Sequence, residues 1–211
     1  MMSGERKVPV PLALAARNLL RNLRSPMLVA MSLLQPVVWL VPFSQIFRGL
    51  GDTAQFRGLG YGSYLEFFVP GMLVLSMLFT ALQSGVATVT DIGSGVMDKL
   101  LISPIRSSWI LVGRVVADAV TMRVQGVIIL GIAVLMGARL QTGWAGTITL
   151  LAGAVAFGVV WACVSNLIAL RTRNAELTMV AGLFLTLPVL FLSSAFFPKP
   201  LLPGWPQTVA A

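Results

Sequence analysis

The sequence of 211 residues contains no histidine and a single cysteine, Cys163. The absence of histidine excludes Ser–His–Asp triads, zinc-protease motifs and histidine-ligated haem. A single cysteine excludes an intrachain disulfide and offers no thiol cluster for a metal ion. We therefore predict that this chain has no catalytic residue, no metal site and no cofactor of its own.

Charged residues are also scarce. They make up 10% of the sequence, whereas soluble domains contain about 25%. Hydrophobic residues account for 57%, and the mean hydropathy is +0.89. Such a chain cannot cover a surface that faces water, so we predict an integral membrane protein. The formal net charge of +8 does not indicate nucleic-acid binding, because the basic residues form no dense run interleaved with aromatics.

Five apolar runs divide the sequence. The first, residues 26–47, would reach roughly 33 Å as a helix at about 1.5 Å per residue, enough to cross a bilayer. We predict an all-α fold in a single transmembrane domain, residues 1–211, with short connections. The predicted spans are about 26–47, 64–90, 109–137, 144–170 and 177–197.

The basic residues set the predicted orientation, because cytoplasmic loops of membrane proteins are enriched in Lys and Arg. Four of the 15 basic residues, Arg48, Arg57, Arg139 and Lys199, fall on one side, and the other 11 fall on the side of the N-terminus. This bias predicts a cytoplasmic N-terminus in a cell membrane, which we expect to be a bacterial inner membrane. An odd number of spans then places Ala211 outside. A cleaved signal peptide is the alternative, but the first apolar run exceeds the usual length of its apolar region, about 7–15 residues.

Residues 11–24 precede the first span and read PLALAARNLLRNLR. Leu12, Ala16, Leu19 and Leu23 fall on one face of a helix, and arginines and asparagines fill the other. We predict a short amphipathic helix at the cytoplasmic lipid boundary. The pattern is compatible with two roles for this helix, a plain membrane anchor and a docking element.

Residues 91–108, DIGSGVMDKLLISPIRSS, lie between two spans. Met97, Leu100 and Leu101 have helical spacing, and Pro104 would end a short amphipathic helix because the residue before a proline avoids the helical region. Gly95 allows a sharp exit from the preceding span. This pattern alone is compatible with two interpretations. The segment is either a docking helix or a solvated loop whose leucines insert into the bilayer surface.

Three stretches together resemble a known family. A glycine, then KLLISP and a basic residue, lies within 91–108; YLEFFVPGMLVLSMLF covers 64–79; and FLSSAFFPKPLLPGWPQ covers 191–207. They are similar, in the same order, to segments of ABC type-2 permeases, the membrane subunits of ATP-driven exporters such as the daunorubicin-resistance and nodulation-factor permeases. The family usually has a sixth span after the LPGW motif, which we expect to be absent here because the sequence ends at Ala211.

The resemblance implies two functional segments. One is the surface that couples to an ATPase. Its residues would be Gly95, Met97, Asp98, Lys99, Leu100, Leu101, Ser103, Pro104 and Arg106. The other is the outer gate, in the external segment 198–211 and the residue before it. Its residues would be Phe197, Pro198, Leu202, Pro203, Gly204 and Trp205. An interfacial aromatic anchor is the alternative for this second segment.

The sequence has no P-loop, since no lysine follows a glycine. If the chain is an exporter subunit, ATP and magnesium are therefore bound by a separate ATP-binding-cassette ATPase subunit. The resemblance further implies a second permease subunit, in a homodimer or a heterodimer, around a central path. It implies membrane lipid as surroundings, and a hydrophobic or amphipathic substrate such as a drug, lipid or glycan.

Two ionisable residues within the third span, Arg114 and Asp118, are spaced i, i+4 and can pair on one helix face. We predict a structural pair, with a substrate or proton role as the alternative. An ion-coupled secondary transporter that uses Asp118 or Glu66 is the competing function, although most acids lie at the ends of spans or in loops. An intramembrane aspartyl protease is disfavoured, because Asp91 and Asp118 lack the GxGD context of that class.

The predicted orientation can be tested with reporter tags. A tag at Met1 and a tag inserted near Ser103 should both report the cytoplasm, and a tag near Gly60 should be accessible in intact cells. A cytoplasmic tag at Gly60 would contradict the orientation and the assignment of 91–108 to ATPase coupling.

Overall fold

The computed structural model describes residues 16, 18–19, 26–47, 49, 63–97, 102, 107–138 and 143–192. These residues contain five long α-helices and no strand, which confirms the predicted all-α fold. Each helix begins within two residues of a predicted span. The helices are α1 (Pro26–Ile46), α2 (Tyr64–Gly93), α3 (Ser107–Leu135), α4 (Gly143–Thr172) and α5 (Ala175–Leu192).

Three helices are long and apolar enough to cross a membrane, namely α2, the Trp109–Leu135 part of α3, and α4. Shorter apolar segments occur in α1, at Leu34–Ile46, and in α5, at Ala175–Pro188. Large apolar side chains such as Val127, Val160 and Phe184 are exposed on the outside of the bundle. That pattern is typical of a helical bundle whose surrounding solvent is lipid.

The second helix, α2, lies at the centre of the bundle and contacts all four other helices, most extensively α4. Its side chains Met72, Leu73, Met77 and Leu78 are at most 1% exposed. Ser63 precedes the helix with an extended backbone and caps it, because its side-chain oxygen accepts the Glu66 N–H at 3.3 Å. The core therefore follows α2 along its length.

Consecutive helices alternate in direction. The end of α1 packs on the start of α2, where Phe43 stacks on Phe68 with ring centroids 5.5 Å apart. At the opposite end, a tight turn joins α4 to α5. Arg173 there adopts a φ of +48°, and the side chain of Asn174 caps α5 by accepting the N–H groups of Glu176 and Leu177. The end of α2 and the starts of α3 and α5 thus lie at one end of the bundle.

Small residues allow α2 and α4 to approach closely, as in other membrane helix pairs. A Cβ atom on Gly85 would lie 2.2 Å from Ser165 Oγ and 2.8 Å from the Ser165 carbonyl oxygen. Farther along the same contact, a Cβ atom on Gly158 would lie 2.8 Å from both Met77 and Met122. The glycines at these positions therefore set the distance between α2 and its principal neighbour.

This close contact predicts that Gly85→Ala destabilises the protein. The added methyl group would push against the Ser165 backbone, and overpacking of this kind costs about 1–3 kcal/mol. Gly153→Ala is the matched control, because a Cβ atom there would meet nothing within 4 Å. Melting temperatures in detergent should fall for Gly85→Ala and stay level or rise slightly for Gly153→Ala. Equal values for the two variants would contradict the packing described here.

Candidate functional site

Six polar side chains are buried together at the end of the bundle where α2 ends and α3 begins. None of them is more than 8% exposed. They come from three helices, because the alternating directions bring the end of α2, the start of α3 and the end of α4 to the same end. We call this set the polar network; it consists of Ser84, Thr88, Asp91, Arg114, Asp118 and Asn166.

An ion pair lies at the edge of the polar network. Arg114 Nη2 donates to Asp91 Oδ2 at 2.6 Å, and both side chains are about nine-tenths buried. The distance is that of a charge-assisted hydrogen bond, which is stronger than a neutral one. The pair joins the last turn of α2 to the second turn of α3. It therefore links the two helices next to the segment of chain that connects them.

From Arg114 a row of hydrogen bonds continues into the bundle. Arg114 Nη1 donates to the Thr88 hydroxyl, which donates to Asn166 Oδ1. Asn166 Nδ2 donates to Ser84 Oγ at 3.0 Å, and the Ser84 hydroxyl donates to Asp118 Oδ2. Each neutral group accepts from the group before it and donates to the next. The row therefore begins at a cation and ends at a carboxylate, an order that strengthens every bond in it.

Burial of these groups would destabilise the fold if any of them lacked a partner. Among the described residues, every buried side-chain nitrogen or oxygen atom has a hydrogen-bond partner. No three acidic or thiol side chains in those ranges come together as metal ligands. The arrangement is thus suited to holding α2, α3 and α4 together in one relative position.

The structure brings the two predicted intramembrane charges, Arg114 and Asp118, into the same network. Arg114 bonds to Asp91 and Thr88 on α2, and Asp118 accepts from Ser84 on the same helix. Three neutral side chains connect the two charges along the row of hydrogen bonds. A direct pairing of Arg114 with Asp118 stays a prediction.

Two of the predicted coupling residues are described. Gly95 follows α2 with a φ of +69°, the left-handed conformation that commonly ends a helix, and its N–H bonds to the Ile92 carbonyl at 3.1 Å. Met97 is half-buried two residues later. Residues 98–101, 103, 104 and 106 lie outside the described residues, as do the outer-gate residues 197–205 and most of the predicted helix 11–24.

Sequence reasoning missed four members of the polar network. Ser84, Thr88 and Asp91 recur at i, i+4 and i+7 on α2, a polar stripe on one face of an otherwise apolar helix. Asn166 is a lone amide in the second half of the fourth apolar run. Both signals are visible in the sequence. Hydroxyl groups, however, carry little weight in a hydropathy pattern, because they can bond to their own helix backbone.

Comparisons with known proteins give a consistent result. A family model described as ABC-2 type transporter matches residues 12–211. A daunorubicin resistance ABC transporter permease protein of Streptomyces coeruleorubidus is 24% identical over 83% of this chain and 60% of its own length. The putative transport permease ycf38 of Cyanophora paradoxa is 28% identical over 93% of this chain and 67% of its own. A probable doxorubicin resistance ABC transporter permease protein of Mycobacterium tuberculosis is 23% identical over 92% and 68%.

The chain therefore spans about three-fifths to two-thirds of the length of these relatives. No solved structure matches it.

The ion pair predicts a specific pattern of stability. Asp91→Asn removes the carboxylate of the 2.6 Å ion pair with Arg114, and breaking one side of a buried pair costs about 3–5 kcal/mol. The melting temperature in detergent should fall, and adding Arg114→Gln should recover part of the loss because the buried positive charge is removed as well.

A second double-mutant cycle, with Asp118→Asn and Arg114→Gln, is the matched comparison. Its coupling energy should be smaller than that of the Asp91 cycle, because Arg114 makes a charge-assisted bond of 2.6 Å to Asp91, whereas Asp118 accepts from Ser84. A larger coupling to Asp118 would support the direct pair and contradict the order of contacts described here.

Proposed function

This chain belongs to the ABC-2 type transporter family, as its resemblance predicted, and on that premise we propose that it is the membrane-spanning permease subunit of an ATP-driven exporter. It would move a drug, a lipid or a glycan-type molecule out of the cell. ATP would be bound with magnesium and hydrolysed by a separate ATPase subunit, and this chain would supply no catalytic group. The family match over residues 12–211 and the relatives named as drug-resistance permeases support the proposal.

The observation that carries the mechanism is the ion pair between Asp91 and Arg114 at 2.6 Å. The proposed coupling segment, 91–108, begins at Asp91 and ends six residues before Arg114. If the ends of this segment were not fixed to each other, the chain on either side could bend, and a displacement of the segment would not move the helices. Because the ion pair ties α2 to α3 at the base of the segment, a force applied to the segment reaches both helices together.

The rest of the polar network extends this tie to α4 through Asn166, which bonds to Thr88 and Ser84. Three helices would then move as one body at the cytoplasmic end, as in other rigid-body switches. Since α2 also contacts α1 and α5, its displacement would be felt throughout the bundle. ATP-driven closure of the ATPase subunits would in this way open a path between two permease subunits toward the outside, where residues 197–205 would form the gate.

The same contacts favour this function over ion-coupled transport. A carboxylate that carries an ion or a proton must be able to release its partner during the transport cycle. Asp91 is held by Arg114, and Asp118 accepts from Ser84 within a row of four hydrogen bonds. Both carboxylates are thus engaged in holding helices together.

The proposal predicts that Leu100→Asp combined with Leu101→Asp abolishes association with the ATPase subunit. The change puts charge into a contact that we infer to be apolar, where an unpaired charge is strongly unfavourable. Co-purification of the ATPase subunit from membranes and ATP-dependent export in vesicles should both be lost, while the variant still inserts into the membrane.

Leu140→Asp is the matched control, since it makes the same chemical change in the connection between α3 and α4, which is predicted to be external. It should leave association with the ATPase subunit unchanged. Unchanged association of the Leu100/Leu101 variant would mean that 91–108 is a solvated loop and would contradict the coupling mechanism.

A further inference from the structure

A second arginine of α3, Arg123, lies in an unusual position. It occupies the middle of the helix, and its side chain is exposed on the outside of the bundle. Within the part of the chain that the structure describes, Arg123 makes no hydrogen bond and no ion pair. An exposed cation at the centre of a membrane-spanning helix is costly and indicates a polar partner other than the described residues.

Arg123 lies too deep for its backbone to be at the membrane surface. The 29 residues of α3 reach about 44 Å at about 1.5 Å per residue, against a hydrocarbon core of about 30 Å. Leu135, at the far end, is 12 residues or about 18 Å from Arg123. Even with Leu135 at the edge of the hydrocarbon, Arg123 lies about 12 Å inside the opposite edge.

The side chain has a preferred direction out of this region. Side chains of a helix tilt toward its N-terminus, and long basic side chains extend their heads toward the membrane interface. The Arg123 guanidinium is therefore directed toward the leaflet at the start of α3, which is the cytoplasmic leaflet in the predicted orientation. A lipid headgroup of that leaflet therefore reaches the guanidinium by moving into the hydrocarbon by less than the depth of the Arg123 backbone.

The surface around Arg123 is apolar. Val116, Val127 and Val134 are exposed at helical spacings from it on α3. A Cβ atom on Gly131 of α3 would meet nothing within 4 Å, so this position faces open space. One cation on an apolar surface complements a molecule with one anionic head and a hydrocarbon body.

A second copy of this chain could not supply the anion. The sequence has seven acidic residues. Asp91 and Asp118 are buried in the polar network, and Glu66 and Glu176 lie in the first turns of α2 and α5, near helix ends. The remaining three, Glu5, Asp52 and Asp98, fall outside the apolar runs. None of the seven offers an exposed carboxylate in the middle of a span.

We propose that Arg123 binds the phosphate of an anionic phospholipid from the adjacent leaflet, with the acyl chains lying on the exposed valines of α3. The site would anchor the outer face of α3 in the bilayer. The proposal requires that α3 lies in a membrane, but it does not depend on ATP-driven transport.

The test compares the binding of two lipids to the purified chain in detergent, by native mass spectrometry with titrated phosphatidylglycerol or phosphatidylcholine. The wild type should bind phosphatidylglycerol in preference. Arg123→Gln should weaken phosphatidylglycerol binding about tenfold, as expected for the loss of one charge-assisted hydrogen bond, and leave phosphatidylcholine binding unchanged. Arg123→Lys should retain most of the preference.

Arg171→Gln is the matched control, because it removes the same charge from an exposed position in the last turn of α4. It should keep the wild-type preference. Equal phosphatidylglycerol binding by the wild type and Arg123→Gln would overturn the proposal, and so would a parallel loss of both lipids. If Arg123→Gln bound lipid normally but lost ATP-driven export in the assembled transporter, the partner of Arg123 would be the exported molecule, and the lipid proposal would be wrong.

Discussion

Arg114 brings a permanent positive charge into the interior of an apolar bundle, and the packing at that end depends on how this charge is neutralised. Asp91 supplies the opposite charge from the neighbouring helix, and Thr88 accepts a further bond. Neither partner is near Arg114 along the chain, so the contacts exist only when α2 and α3 lie side by side in one register. A buried charge that loses its partner is strongly destabilising. The ion pair therefore selects this register against others that would bury the same apolar area.

The close α2–α4 contact and the polar network depend on each other. Gly85 lets the backbone of Ser165 approach, and the next residue, Asn166, then reaches both Ser84 and Thr88. A side chain on Gly85 would move Asn166 away from its partners and interrupt the row of hydrogen bonds. Close packing thus sets the distance between α2 and α4, and the polar groups determine which residues of the two helices face each other. Lipid offers no hydrophobic drive for helix association, so both contributions are needed.

The positions of the helices could be predicted because span length and apolar composition are local properties. Each apolar run became a helix that starts within two residues of its predicted place. The partner that the structure shows for Arg114 could not be predicted in the same way. The i, i+4 spacing indicated Asp118, a pairing that stays a prediction. The ion pair that the structure shows joins Arg114 to Asp91, 23 residues away on another helix. Local spacing identifies which side chains share a face, but the neighbour of that face is decided by how the helices pack.

The two arginines of α3 show how one helix can meet two different electrostatic requirements. Arg114 and Arg123 are nine residues apart, which is two and a half turns at about 3.6 residues per turn, so they project from opposite faces. The inward-facing cation has its counter-charge within the protein. The outward-facing cation makes no bond among the described residues, and in our proposal its counter-charge comes from a phospholipid. Hydropathy alone treats both as interruptions of an apolar run; the face each one occupies determines whether it orders the bundle or interacts with the bilayer.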